Sequence, residues 1–298
     1  MKILITGSNG LLGQKLLHKL RVDKDINLIA TSKGHNRVSI TNGYKYYPLD
    51  ITNEYTIHSL ISKENPDVVI NTAALTNVDL CEEEKELCDL INVAAVGYLA
   101  DACQKNKTHL IQISTDFIFD GENGPYTELD EPNPLSYYGL SKLRSEQILE
   151  SHDVECTVLR TIIVFGVGEN LSKSNIVLWA KEMLKNGNEI NVIDDQFRSP
   201  TLAEDLADAC ILAAKKKAYG IFNASGKDIM SIFEMVERIG KFYGYSTDNL
   251  NRISTDTLNQ KAVRPPRTGF ILDKAINNLG YSPHSFEQCL AIIKKQIQ

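Results

Sequence analysis

Tyr138 and Lys142 stand four residues apart in a stretch that reads as a helix beginning near Ser136, so their side chains share one face. A phenol ordinarily ionises near pH ~10, and a cation one helical turn away is expected to favour phenolate and lower that value. Such a tyrosine can exchange a proton with a substrate oxygen near neutral pH. Lys142 can also reach the ribose of a nicotinamide nucleotide. Tyr137 competes for the role, but only Tyr138 has the four-residue spacing to the lysine. Upstream, Ser114-Thr115-Asp116 closes an apolar run, His109 to Ile113, that reads as a strand. Ligands of open α/β sheets bind outside the carboxyl ends of the strands. Thr115 is therefore placed to orient the oxygen that Tyr138 protonates, with Asp116 beside it. This chemistry suits hydride transfer between a nicotinamide cofactor and a carbon atom. A Tyr-x-x-x-Lys pair alone is common on helix surfaces; its weight here comes from the elements that precede it.

The first of those elements opens the chain. An apolar run, Ile3 to Ile5, feeds into Gly7, Gly10 and Gly13, and a helical pattern follows through Leu16, Leu17 and Leu20. Strand, glycine turn and helix start together hold a pyrophosphate, because free helix N–H groups and the helix dipole face the anion. Gly7, Asn9, Gly10, Leu11, Leu12 and Gly13 are expected to surround it. The second strand, Asn27 to Thr31, runs into Ser32-Lys33-Gly34-His35-Asn36-Arg37 without an acidic residue. An NAD site normally offers an acid there. Ser32, Lys33 and Arg37 can instead hold a 2′-phosphate, so NADP is favoured, with NAD as the alternative. The third strand, Lys45 to Leu49, ends at Asp50-Ile51. Asp50 can accept a hydrogen bond from adenine or cap the next helix, and Ile51 can cover the ring. Val68 to Ile70 has the β-branched character of a parallel strand buried on both faces. After it, the small side chains of Ala73 and Ala74 leave room for the cofactor.

These alternating elements imply an α/β fold: a Rossmann-type, doubly wound parallel sheet over residues 1–165, followed by a smaller α/β substrate-binding domain over 166–298, with some exchange of chain between the two. Asp79 to Lys105 reads as one long helix whose acidic start, Glu82-Glu83-Glu84, suits its N-terminus. Asn92 within it is either a buried polar bridge near the site or a helix-surface amide. The chain has 298 residues, a net charge of -6 and no extended basic block, which argues against nucleic acid as a partner. No apolar run reaches membrane-spanning length, and a first strand at the N-terminus argues against a cleaved signal peptide. Six scattered cysteines without a Cys-x-x-Cys pair point to reduced thiols in a cytoplasm. Six scattered histidines without His-x-x-x-His spacing give no expectation of a metal.

Several segments together carry a family resemblance. They are Gly7-Ser-Asn-Gly10-Leu-Leu-Gly13, Asn71-Thr-Ala-Ala-Leu-Thr-Asn-Val-Asp79 with Cys81-Glu82, and Ser114-Thr-Asp-Phe-Ile-Phe-Asp-Gly121. Pro134-Leu-Ser-Tyr-Tyr138-Gly-Leu-Ser-Lys142, Leu159-Arg-Thr161 and Asp195-Gln-Phe-Arg-Ser-Pro-Thr201 complete the set. In this order, over nearly the whole chain, they resemble the extended short-chain dehydrogenases/reductases, and within them the dTDP-4-dehydrorhamnose reductase group. The resemblance implies reduction of the 4-keto group of a nucleotide-linked 6-deoxyhexose, with Thr115, Asp116, Tyr138 and Lys142 on the family's catalytic positions. It implies a sugar-binding end formed by Thr76, Val78, Phe117, Ile163 and Arg198, and a homodimer. Phe117 stands where the family usually has Tyr, Ile162-Ile163 where it often has Trp, and Arg198 where it has Gly. Arg198 and Arg264 can bind a substrate phosphate or form surface ion pairs. Two other readings share the fold: a nucleotide-sugar epimerase or dehydratase, and a non-catalytic NADP-binding subunit like the regulatory subunit of methionine adenosyltransferase. A dehydratase would place a Glu after Asp116, where this chain has Phe117.

Overall fold

A computed structural model of the chain describes residues 1–171 and 174–297. The first half alternates strands and helices: β1 (Lys2–Thr6), α1 (Leu11–Leu20), β2 (Asn27–Ser32), β3 (Lys45–Pro48), α2 (Glu54–Glu64), β4 (Val68–Asn71), α3 (Val78–Glu83), α4 (Lys85–Asp89), α5 (Ala95–Asn106), β5 (His109–Thr115), α6 (Tyr137–Ser151) and β6 (Cys156–Thr161). The second half carries β7 (Val164–Phe165), α7 (Ile176–Lys185), β8 (Ile190–Ile193), β9 (Phe197–Arg198), β10 (Thr201–Leu202), α8 (Ala203–Lys216), β11 (Gly220–Asn223), β12 (Met230–Ser231), α9 (Ile232–Tyr243), β13 (Leu250–Ile253) and α10 (Phe286–Gln296).

Seven strands form one sheet in the order β11-β6-β5-β4-β1-β2-β3, and every pairing within it is parallel. The order reverses between β1 and β4, the crevice where such sheets bind ligands. Period-two alternation along β1 divides the core. Ile3 and Ile5 face Leu16, Leu17 and Leu20 of α1 and Leu206 and Cys210 of α8. Leu4 faces the opposite cluster, with Ile57 and Ile61 of α2 and Val96 and Leu99 of α5. A separate cluster joins α7, α9 and α10 through Val177, Leu184, Val236, Ile239 and Leu290. The sheet takes its last strand from Gly220–Asn223, so the chain leaves the sheet after β6 and returns to it through α8 and β11.

The expected long helix from Asp79 is interrupted. Glu84 leaves helical geometry (φ -112°, ψ 60°) between α3 and α4, and a π-helical turn at Leu90–Ala94 joins α4 to α5. The acidic run does not serve its own helix start: the Glu82 carboxylate accepts the Tyr137 backbone N–H at 2.6 Å and so supports the start of α6. Nor does Asp50 cap α2. Asn53 does, accepting from the Thr56 N–H at 3.1 Å.

Among the buried polar groups, His109 on β5 couples the sheet to pH. The Thr157 hydroxyl donates to the Ala218 carbonyl, so its oxygen must accept from His109 Nε2, 2.7 Å away. The neutral ring thus carries its proton on Nε2, and Nδ1 lies buried without a hydrogen-bond partner. Burial pulls the His109 pKa from 6.5 down to about 4. A lowered histidine stabilises the fold above its unfolded value, and that contribution is lost as pH falls from 6.5 toward 4. Chemical denaturation should show a loss of roughly 2 kcal/mol at pH 5 relative to pH 8 from this group alone. In His109→Phe that part of the acid sensitivity should vanish; an unchanged pH dependence would remove His109 as its source.

Candidate active site

The glycine turn is built by close approach. Gly7 has φ +67°, and a Cβ there would lie 2.8 Å from the Ala73 nitrogen at the end of β4. A Cβ on Gly13 would lie 2.5 Å from the Gly7 carbonyl oxygen and 2.6 Å from Ser8 Cα. Only glycine lets α1 sit this close to the strand end. Gly10 precedes α1 and no side chain caps the helix, which leaves the N–H groups of Leu11, Leu12 and Gly13 for an anion. The Ser8 hydroxyl is buried in the same turn without a protein partner. This unfilled hydrogen-bonding capacity fits a dinucleotide pyrophosphate.

The Asn9 side chain reaches the loop after β2. Its amide donates to the His35 carbonyl at 2.9 Å, and its carbonyl accepts the Arg37 N–H at 2.9 Å. It therefore pins the basic loop after β2 against the glycine turn. Lys33 is exposed and pairs with Asp50 at 2.8 Å; this contact and hydrogen bonds from Thr52 hold the Asp50 carboxyl below its usual range despite some burial. Ser32 ends β2, and Lys33 and Arg37 lie in the loop that follows it, which Asn9 holds through the Arg37 N–H. Ile51 is buried among Leu4, Ile29 and Ile57.

The catalytic candidates converge where β5 meets α6. Ser136 caps α6 by accepting from the Gly139 N–H at 3.2 Å. A Cβ on Gly139 would come within 2.1 Å of the Phe117 carbonyl oxygen, so this glycine sets how near the helix lies to the strand end. Phe117 meets the Tyr138 ring edge-on at 5.7 Å. Thr115 neighbours the Tyr138 phenol, and Lys142 Nζ donates to the Ile113 carbonyl at 2.6 Å. Tyr137 is excluded from this group: its hydroxyl donates to Asp89 at 2.7 Å.

The electrostatics reverse one expectation. Lys142 does not depress the tyrosine. Burial pushes the Tyr138 phenol well above its ordinary value, against the lowering influence of Thr115 and with Asp116 adding to the rise. Burial pulls Lys142 down to about 8, with the Glu146 carboxylate opposing it. Desolvation is the largest influence on each, with Lys142 buried and Tyr138 half-buried.

Arg198 is neither a surface ion pair nor free to meet a phosphate. It is fully buried, with Nη2 donating to the Pro265 carbonyl at 2.6 Å and Nη1 to the Phe197 carbonyl at 2.7 Å. Its Nε lies 3.8 Å from the buried Asp116. Arg264 pairs with Asp79 at 2.8 Å, and the same carboxylate accepts the Ala262 N–H. Asn92 is a buried bridge: its side chain exchanges two hydrogen bonds with Leu75 (2.8 and 3.0 Å) and donates to Ser141 at 3.0 Å. It lies in the π-helical turn, a feature frequent at functional sites. Ile163 has φ +37°, a conformation rare for a β-branched residue, and Thr76 is exposed while Val78 opens α3 half-buried. Glu146, Gly139 and Glu82 were missed as site residues; only Glu146 had a local signal, one turn beyond Lys142 on the same face. Among the described residues, Glu54, His58 and Asp101 form a cluster of metal-ligand types on α2 and α5, outside this constellation.

A parallel sheet with this strand order, a glycine turn at its switch point and a Thr-Tyr-Lys group at the next strand end define a nucleotide-binding protein of the short-chain dehydrogenase/reductase type. Residues 1–298 match the family described as RmlD substrate binding domain, and the chain belongs to that family. It is 31% identical to dTDP-4-dehydrorhamnose reductase of Aggregatibacter actinomycetemcomitans over 98% of both chains. It is 30% identical to methionine adenosyltransferase 2 subunit beta of Rattus norvegicus over 89% of this chain and 78% of that one. The structure of dTDP-4-dehydrorhamnose reductase from Bacillus anthracis in complex with NADP superposes with a TM-score of 0.84 at 27% identity, covering 99% of each chain.

The close packing at Gly13 yields a direct test. Gly13→Ala must displace α1 from the turn, an overpacking that costs about 1–3 kcal/mol. NADPH binding, followed by its fluorescence, should weaken by about tenfold or more. Affinity within twofold of the unmodified chain would place the dinucleotide elsewhere.

Proposed function

We propose that the protein is an NADPH-dependent reductase that converts the 4-keto group of dTDP-4-dehydrorhamnose, or a closely similar nucleotide-linked 4-keto-6-deoxy sugar, to the alcohol. The observation that carries this reading is the Thr115, Tyr138 and Lys142 constellation beside an anion-ready glycine turn, in a chain whose relatives of full length include dTDP-4-dehydrorhamnose reductases. In this reading the N–H groups of Leu11, Leu12 and Gly13 hold the pyrophosphate, and Gly7 and Gly10 allow its approach. Ser32, Lys33 and Arg37 receive the 2′-phosphate, Asp50 and Ile51 border the adenine, and Ala73 and Ala74 leave space for the ribose. Thr76, Val78, Phe117 and Ile163 border the sugar, residues 166–298 supplying most of its other walls. Six free cysteines fit a reducing cytoplasm, and the family resemblance supports a homodimer.

When bound, the cofactor supplies the hydride. The chain supplies the proton and its placement. A phenol kept protonated by burial is the form a reduction requires: Tyr138 donates its proton to the oxygen that becomes the alcohol. Thr115 holds that oxygen by hydrogen bonding. The Lys142 ammonium stabilises the phenolate as it forms, a benefit greatest in a pocket of low dielectric. The relation to methionine adenosyltransferase 2 subunit beta favours a second reading, an NADP-binding regulatory subunit. The intact acid–base group weighs against it, since binding alone has no use for a positioned proton donor.

Consumption of NADPH with a dTDP-linked 4-keto-6-deoxy sugar, read at its absorbance, tests the first reading; tight NADPH binding without turnover on a panel of keto sugars would favour the second. Tyr138→Phe should lower kcat by about 10²–10⁴ while leaving the NADPH Kd nearly unchanged, and full activity in that variant would sink the mechanism. Lys142 is charged below its pKa of about 8, so reduction should decline as pH rises through that value. A rate that rises steadily to pH 10 would contradict the assigned role.

A further inference from the structure

A buried guanidinium is costly unless its donors are matched, and Arg198 is matched almost completely by backbone. Nη1 donates to the carbonyls of Phe197 (2.7 Å) and Pro266 (3.3 Å). Nη2 donates to the Pro265 carbonyl (2.6 Å) and to Gln196 Oε1 (3.2 Å). The remaining nitrogen, Nε, faces Asp116 Oδ2 at 3.8 Å. That separation is too long for a hydrogen bond but short enough for a strong charge interaction out of water.

Asp116 is equally buried. Its Oδ2 accepts from the Thr268 hydroxyl, and its Oδ1 accepts from the Thr115 hydroxyl at 3.2 Å. The Thr115 oxygen also accepts the Phe117 N–H at 3.3 Å. A hydroxyl has one proton and two lone pairs. While its proton is turned to Asp116, Thr115 has none to offer a substrate oxygen. If Asp116 takes up a proton from solvent on Oδ1, it donates to Thr115, whose own proton then turns forward. One proton is gained at Asp116, no bond to carbon changes, and the chain reads Asp116 to Thr115 to the reacting oxygen.

We propose that Arg198 is a positioning residue for the reduction: by holding charge on Asp116, it sets the pH at which the Thr115 hydroxyl is released from Asp116 toward the substrate carbonyl. The inference rests on the reading of Thr115 as the partner of that carbonyl. Asp116 is faced by Thr115 from β5, Tyr138 from α6, Thr268 from the 264–269 loop and Arg198 from β9. Burial raises the Asp116 carboxyl while Arg198, Thr268 and Thr115 draw it back, and Arg264 opposes the guanidinium from beyond. Cys81 and Cys88 approach the same pocket on the Tyr138 side.

The test uses the full chain in two measurements. The infrared carbonyl band of a protonated buried carboxyl, assigned by its loss in Asp116→Asn, gives the Asp116 midpoint without substrate. The pH profile of kcat/KM gives its effect on reduction. Arg198→Met removes the charge and should move the infrared midpoint up by about 1 unit or more, carrying with it the pH above which kcat/KM falls. Arg198→Lys retains the charge and should stay closer to the unmodified midpoint. In Asp116→Asn that limb should disappear while the one near Lys142 stays. A stably folded Arg198→Met with both midpoints unmoved overturns the proposal, as does a limb that persists in Asp116→Asn. If Arg198→Met does not fold, the Asp116→Asn profile and the Arg198→Lys midpoint decide. Absence of turnover in the unmodified chain would strike the proposed function, and the infrared midpoint would still decide whether Arg198 governs Asp116.

Discussion

One buried carboxylate holds the site in register. Glu146 of α6 receives the Ser114 hydroxyl of β5 at 2.5 Å and the Arg160 guanidinium of β6 at 2.7 Å. Arg160 in turn reaches the Glu128 carbonyl at 3.4 Å and lies over the Phe119 ring at 5.4 Å. Ser114 directly precedes Thr115, and Glu146 lies one helical turn beyond Lys142. A helix could slide along a sheet over apolar contacts alone at little cost. It cannot do so across a buried ion pair, where removing one partner costs about 3–5 kcal/mol. The spacing of Thr115, Tyr138 and Lys142 therefore depends on a network that touches none of the reacting atoms.

The same burial determines the chemistry. Tyr138 and Lys142 lie together in surroundings that oppose charge on either, so the phenol is raised and the ammonium lowered. Attraction between a phenolate and an ammonium would be strong at this dielectric, yet it operates only after both ions have formed. Before reaction the neutral phenol is favoured, which suits a proton donor better than a base. Glu146 opposes the loss of charge on Lys142, so the carboxylate that fixes the helix also keeps its lysine ionised at neutral pH.

Much of this was legible in the chain. The first strand, glycine turn and helix follow from apolar periodicity and from glycines where a Cβ would collide, and Tyr138 was separated from Tyr137 by helical spacing alone. What could not be read depended on distant partners or on dielectric. The helix starting at Asp79 has an unbroken pattern; its break accompanies Glu82 meeting the N–H of Tyr137, 55 residues away. Arg198 has the composition of a surface residue. It is buried because the Pro265 and Pro266 carbonyls, outside any helix or strand, converge on it from 67 and 68 residues away. The i,i+4 spacing of Tyr138 and Lys142 established who the neighbours are, but the sign of their pKa shifts depends on how much water remains.

Phe117 links these threads. Its ring lies between the Arg198 guanidinium at 5.9 Å and the Tyr138 ring at 5.7 Å, while its carbonyl forms the floor against which Gly139 brings α6. Phe117 thus sets through its carbonyl how near α6 lies to the end of β5, and its ring touches both the Tyr138 ring and the guanidinium beside Asp116.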